Sequence, residues 1–259
     1  MQVEISLNQS VDENAATYFE LAKKAKRKLE GARKALDDSK KKLAELRTKE
    51  GKFLEEEKEK RAKVEIKHEW YEKFHWFFSS EDFLCIGGKD ATSNEIVIKK
   101  HLDPTDLVFH TDMAGSPFFV IKEGQKAGEI TLNETAQAVG MYSRAWKLGH
   151  GTADVFYVKP EQVTKEAKAG EFISKGSFMI YGKTNYLHPK LECAIGISEG
   201  RLIGGPVSAI KKKADKVVII IPGKEKKSDL AKKIKHKLGG GELDEIIKFL
   251  PAGEGDIKK

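Results

Sequence analysis

Apolar or small residues recur in the first part of the chain in steps of four and three: Tyr18, Ala22, Ala25, Leu29, Ala32, Leu36, Ser39, Leu43 and Leu46. That alternation is a heptad seam, which keeps one face of a helix against a partner. Ser10 with Glu13 three residues on forms a capping box at its start, and residues 3–7 read as a short strand or extended lead-in. The seam is thin, because Ala and Ser bury little area, so the helix needs a partner. Gly51 stands near a break, and residues 52–74 again read helical, with Val64, Tyr71 and Phe74 apolar. The pattern predicts a long antiparallel helical hairpin, a coiled-coil arm over residues 1–74, whose outgoing helix of about 37 residues spans about 55 Å. A dimerising coiled coil is the other arrangement that the seam allows.

Near Trp70 the pattern changes. Charge thins, and Trp70, Tyr71, Phe74, Trp76, Phe77, Phe78 and Phe83 crowd together. Residues 76–78 and 83–86 read as two strands around a turn at 79–82. These aromatics read as core, with base stacking as the alternative. A helix is expected over 91–101 and strands over 107–110 and 118–122, around a turn holding Gly115, Ser116 and Pro117. Thr131 with Glu134 reads as a second capping box, opening a helix that runs to Leu148. Strands follow at 154–158, 178–181, 193–197 and 217–221, the last ended by Pro222 and Gly223. Ser228 caps a basic helix to Leu238, glycines break it at 239–241, and a short helix covers 243–250. Strands and helices without regular βαβ alternation give residues 75–259 an α+β class, a mixed sheet with flanking helices.

Charge adds a direction. The net +7 of the 259 residues divides as +3 over residues 1–74, −3 over 75–200 and +7 over 201–259. Basic ends around a slightly acidic middle favour a polyanionic partner, nucleic acid first; a merely soluble Lys-rich surface is the plain alternative. Cys85 and Cys193 sit inside apolar runs, read as buried free thiols, and have no CxxC partner to suggest zinc. No leader and no membrane-spanning run is read, so the cytoplasm is the expected compartment and no membrane partner is expected.

Four motifs carry candidate chemistry. GGKDATSNE (87–95) sets Gly87 and Gly88 between a strand and a helix, a turn able to offer backbone N–H groups to phosphate, and it matches neither a dinucleotide fingerprint nor a P-loop. HTDMAGSP (110–117) places His110 and Asp112 two residues apart at a strand end; a hydrogen bond between them that fixes the turn, RNA contact, and metal or acid–base work are the readings. YSRAWKLGH (142–150) ends a helix with Arg144 and Lys147 on one face, complementing the helix dipole or meeting phosphate. KGSFMIYGKTNY (175–186) joins Lys175, Lys183 and Tyr186 to a strand, and the runs AIKKKADK and PGKEKKSDLAKKIKHK add dense basic charge.

In their order, WYEKFHWFFSSEDFLCIGGKDATSNE, LVFHTDMAGSPFFVIK, YSRAWKLG, VFYVKPEQVTK and KGSFMIYGKTNYL closely resemble the NFACT-R domain of the NEMF/Caliban/fibronectin-binding-protein-like family. The resemblance runs from about residue 69 to 182 and continues more loosely to IPGKEKKSDLAKKIKHKL and FLPAGE. ENAATYFELAKKAKRKLEGARKAL resembles that family's coiled-coil arm. The resemblance implies an RNA-binding module of a ribosome quality-control factor. Such factors bind large ribosomal subunits obstructed by peptidyl-tRNA, contact tRNA and ribosomal RNA, and in several lineages support template-free tailing of the stalled chain.

On this sequence the implied RNA-binding positions are Gly87, Gly88, Lys89, Asp90, Asn94, His110, Asp112, Gly115, Lys122, Arg144, Lys147, Lys175 and Gly176, with Lys183 added from the basic strand. The partners implied are large-subunit RNA and tRNA, with ribosomal proteins met through the arm. Family members begin with a separate N-terminal domain that this sequence lacks, so tailing attributed to that domain is not expected here. The expectation is a binding protein, not an enzyme, with no cofactor and no metal. The rivals are a coiled-coil protein adaptor without RNA affinity and a metal-dependent phosphoryl or hydrolytic enzyme built on His110 and Asp112.

Overall fold

The computed structural model describes residues 3–8, 10–62, 69–166 and 173–258. It divides into two units, Met1–Lys67 and His68–Lys259.

In the first unit the lead-in is extended and fastened to the first turns of α1 (Val11–Ala62). Ser6 N–H donates to Asn14 Oδ1 at 2.8 Å, and the Tyr18 hydroxyl donates to the Glu4 carbonyl at 2.6 Å. The capping box forms as read: Ser10 N–H donates to Glu13 Oε2 at 2.8 Å, and Glu13 N–H donates to Ser10 Oγ at 3.3 Å. The predicted break at Gly51 does not form. α1 is one helix of 52 residues, about 78 Å long, so a single helix replaces the outgoing arm and the start of the returning one. One interior Gly costs about 1 kcal/mol, too little to end a helix among good helix formers such as Lys, Glu and Leu. Residues 63–68 of the predicted returning helix lie outside the described residues, and Trp70–Lys73 form a single 3-10 turn. Leu29, Leu36, Leu43 and Leu46 of the seam are each more than half exposed.

The second unit is α+β. Six antiparallel strands form its larger sheet, in the order β1 (His75–Phe78), β2 (Leu84–Gly87), β4 (Phe119–Ile121), β3 (Leu107–Thr111), β5 (Val155–Val158) and β8 (Asn185–Leu187). Side chains alternate across a strand, and here both faces are apolar. Leu107, Phe109, Phe119 and Ile121 enter one core, which they share with Ala136, Val139 and Met141 of α3 (Glu129–Tyr142). Val108, Phe118 and Val120 enter another, with Val97 and Ile98 of α2 (Ala91–Lys100). The aromatic cluster is therefore mostly packing: Phe74 and Phe77 are buried, one in each core.

A second antiparallel sheet runs β10 (Arg201–Gly205), β9 (Cys193–Ser198), β11 (Lys216–Glu225) and β12 (Gly255–Ile257). Glu199 and Gly200 both take positive φ in its tight hairpin, the backbone that a two-residue turn of right-handed twist requires. α5 (Val207–Lys213), α6 (Lys227–Leu238) and α7 (Leu243–Phe249) accompany this sheet, and a two-stranded ribbon pairs β6 (Val163–Thr164) with β7 (Met179–Ile180). Cys85 and Cys193 are buried and free, and burial pushes each thiol up to about 12.

Four expectations need correction, the first being Ser228, which lies inside α6 and does not cap it, since that helix starts at Lys227 after Lys226. α3 starts at Glu129, two residues before the predicted cap, and Tyr142 ends it. Its first N–H groups are capped from the β1–β2 turn, where the Glu81 carboxylate accepts from Gly128 N, Thr131 N and Thr131 Oγ1. Glu134 instead holds that turn, accepting from Ser80 N–H at 2.8 Å. The helix also does not reach Leu148, because Ser143 interrupts it. The Ser143 hydroxyl donates to the Gly140 carbonyl at 2.7 Å and accepts from Ala145 N–H at 3.2 Å, starting the one-turn α4 (Arg144–Lys147). Finally, β11 continues through Pro222 and Gly223, with an irregular register where Pro222 and Glu225 both oppose Gly255. Among the described residues, no helix is long and apolar enough to cross a membrane.

Candidate functional site

Three turns meet around a cavity of about 380 Å³: the one between β2 and α2, the one between β3 and β4, and the loop before β7. Gly88, Lys89, Asp90, Asn94, His110, Gly115, Lys175 and Gly176 line it. His75, Tyr142, Phe118 and Phe178, which were not expected as site residues, complete it.

Two glycines make the assembly possible. A Cβ on Gly88 would lie 2.0 Å from Asn94 Oδ1. Its absence lets Asn94 fold back and accept the Phe118 N–H at 3.1 Å, while Gly88 N–H donates to the Phe118 carbonyl, also at 3.1 Å. Gly176 has φ +78°, and a Cβ there would meet Ala91 Cα at 2.5 Å. Its N–H donates to Glu95 Oε2 at 3.2 Å, laying the loop onto α2.

The turn before α2 does not hold its N–H groups open for phosphate. Asp90 caps the helix, accepting from Ser93 N–H at 2.7 Å, and Ser93 Oγ accepts from the N–H of Lys89 at 2.7 Å and of Asp90 at 2.8 Å. These bonds from Ser93 hold the Asp90 carboxyl below its ordinary value.

His110 stacks on Phe118 with ring centroids 4.0 Å apart, and its Nε2 lies 3.2 Å from the Ser116 carbonyl, which assigns the proton to that nitrogen. Burial lowers its pKa against the opposing pull of Thr111, Ser116 and Asp112. The expected His110–Asp112 hydrogen bond is absent. Asp112 lies beyond the end of β3, where strand alternation no longer applies, and its carboxylate accepts from the Tyr186 hydroxyl at 2.9 Å. The turn is held instead by Thr111 and Ser116, whose hydroxyls lie 2.6 Å apart. Among the described residues, no group of three or more His, Cys, Asp or Glu is placed to hold a metal ion.

His75 stacks face to face on Tyr142, with centroids 3.6 Å apart. Burial pushes its pKa down to about 3, helped by Lys89 and Lys227, so the imidazole is neutral at ordinary pH. Burial also lowers the Lys89 pKa, helped by nearby Lys248. Among the described residues, neither Lys89 nor Lys175 is in an ion pair.

The other expected positions lie elsewhere. Gly87 is a packing residue, with the Phe119 ring 2.3 Å from where its Cβ would be. Lys122 is an internal tie: its Nζ lies 2.6 Å from Asp103, 2.5 Å from buried Asp106 and 2.8 Å from the His101 carbonyl. Arg144 and Lys147 are exposed on α4, which Trp146 anchors by donating its indole N–H to the Glu254 carbonyl at 3.0 Å. Lys183 is exposed outside the cavity. The basic C-terminal runs also serve the fold in part, since Lys212 bonds the Ser80 carbonyl, Lys213 pairs with Asp82, and Lys227 bonds the Leu250 carbonyl.

Residues 73–182 match the model of the NFACT protein RNA binding domain. The chain is 40% identical over 205 residues to the "Archaeal Rqc2 homolog aRqcH" of Methanocaldococcus jannaschii, covering 76% of this chain and 30% of that protein. It is 39% identical over 182 residues to the "Ribosome quality control complex subunit NEMF" of Mus musculus, covering 68% of this chain and 16% of that one. It is 34% identical over 199 residues to the "Ribosome quality control complex subunit NEMF homolog" of Drosophila melanogaster, covering 76% and 20%. The chain thus spans less than a third of the length of each of these relatives.

Proposed function

Because the chain belongs to the NFACT-R family through residues 73–182, we propose that its second unit is a cytoplasmic RNA-binding module of ribosome quality control, which docks on large-subunit RNA and tRNA without catalysing a reaction. The carrying observation is the convergence of Gly88, Lys89, Asn94, His110, Lys175 and Gly176 on one cavity, where Lys89 and Lys175 stand outside ion pairs among the described residues. The relatives named for ribosome quality control support it. Arg144 and Lys147 on α4, with Lys235 and Lys237 on α6, supply further exposed cations for phosphates. The exposed leucine seam of α1 is the surface we assign to ribosomal proteins.

The test is binding of the full chain to purified large subunits and to tRNA across a salt series. The reading expects tight binding at low salt, with log affinity falling linearly against log salt at a slope of several charges. Absence of binding to either RNA at low salt overturns it and favours a protein adaptor.

A further inference from the structure

We propose that the cavity receives the base of one unpaired nucleotide of the bound RNA, with Lys89 and Lys175 meeting its flanking phosphates. The inference rests on the RNA-binding reading and narrows it to a place and a chemistry.

Size comes first. About 380 Å³ lies at the small end of ligand pockets. It suits one nucleotide-sized group and excludes a duplex. Single-stranded RNA is read by splaying bases out onto aromatic and imidazole faces. The walls here are of that kind: the stacked His110–Phe118 and His75–Tyr142 pairs, and Phe178 edge-on to Phe118 with centroids 5.3 Å apart.

Polar groups give the cavity something to read with. Asn94 is only 8% exposed, and its amide oxygen is taken by the Phe118 N–H, which fixes which end is the NH2. That NH2 has no partner among the described residues, and neither do the ring nitrogens of His75. A neutral imidazole offers one donor and one acceptor, and an amide NH2 offers two donors, a set matched to the edge of a base. An apolar side chain from a protein partner would leave these groups unsatisfied. The Asp90 carboxylate, the acidic group in the lining, is engaged by Ser93.

The experiment uses the full chain and a single-stranded RNA octamer carrying one 2-aminopurine, with 4-thiouridine versions for crosslinking. Wild type is expected to quench the 2-aminopurine on binding and to crosslink within the cavity. Ala114→Trp, at an exposed lining position, is expected to weaken octamer binding about tenfold and to abolish quenching with little change in salt slope. Ser177→Trp serves as the second variant if the first does not fold. Reversing Lys235 and Lys237 to Glu should weaken binding while leaving the bound probe quenched. The inference is overturned if wild type binds the octamer without quenching, if crosslinks fall outside the cavity, or if a folded mouth variant binds like wild type; RNA binding would stand in each case. If wild type binds neither the octamer nor ribosomal RNA, the broader reading fails, and this inference with it.

Discussion

Phe118 N–H donates to Asn94 Oδ1 at 3.1 Å, and the oxygen that accepts it occupies the space where a Cβ on Gly88 would stand. The strand end, the helix and the glycine turn thus share one contact. Gly88→Ala must push Asn94 away and leave a buried N–H unpaired, at a cost of about 2–3 kcal/mol. Urea unfolding would show this as a lower midpoint at unchanged slope. An unshifted midpoint would mean that the turn relaxes freely.

Lys122 should matter for folding and not for RNA. Its Nζ neutralises Asp106, whose side chain is 1% exposed. Lys122→Met leaves that carboxylate buried without its cation and is expected to cost about 3 kcal/mol. The folded variant should hold tRNA as tightly as wild type in a filter-binding assay, whereas Lys89→Ala should not.

Acid should weaken the fold through His75. The unfolded chain protonates this side chain near 6.5, the folded one only at about 3. Between those values the unfolded state binds more protons, so stability falls as the pH drops, by at most about 1.4 kcal/mol per pH unit. His101 and His110 are shifted in the same direction by burial and add to the trend. Urea midpoints at pH 7.5, 6 and 5 should decline less steeply in His75→Phe. Parallel declines would show that His75 is not the source.

In the arm, a Cβ at Gly31 meets nothing within 4 Å. Gly31→Ala should therefore stabilise α1 by about 1 kcal/mol, read as increased helical circular dichroism on warming. A loss of helicity would show that the position needs glycine for a partner's close approach.

Features set by neighbours in the chain were legible in the sequence. The Ser10–Glu13 box, the β1–β2 hairpin and α2 all depend on residues within a few positions of one another. Thr131 and Glu134 form no box because each bonds across elements: the Glu81 carboxylate accepts from Thr131 and the Glu134 carboxylate accepts from Ser80. The run of β11 past Pro222 is not legible locally, because the strand it pairs with, β12, lies more than 30 residues away in sequence. In the cavity, the Gly-Gly, His-Thr-Asp and Lys-Gly motifs stood out individually. That His75 and Tyr142 close it could not be read, since a strand start and a helix end meet there only through the sheet. Lys122 showed its charge in the sequence and hid its partners.

The strands behind the cavity also constrain how the protein can vary. Leu107, Phe109, Phe119 and Ile121 point one way, while Val108, Phe118 and Val120 point the other. Inserting or deleting one residue early in β3 would turn the side chains that follow to the other face and carry His110 to the opposite side of the sheet, and the same change in β4 would reverse that strand's own residues. Changes of length should therefore be tolerated in the connecting loops and rejected within these strands, so the position of the cavity is fixed by the spacing of the residues behind it.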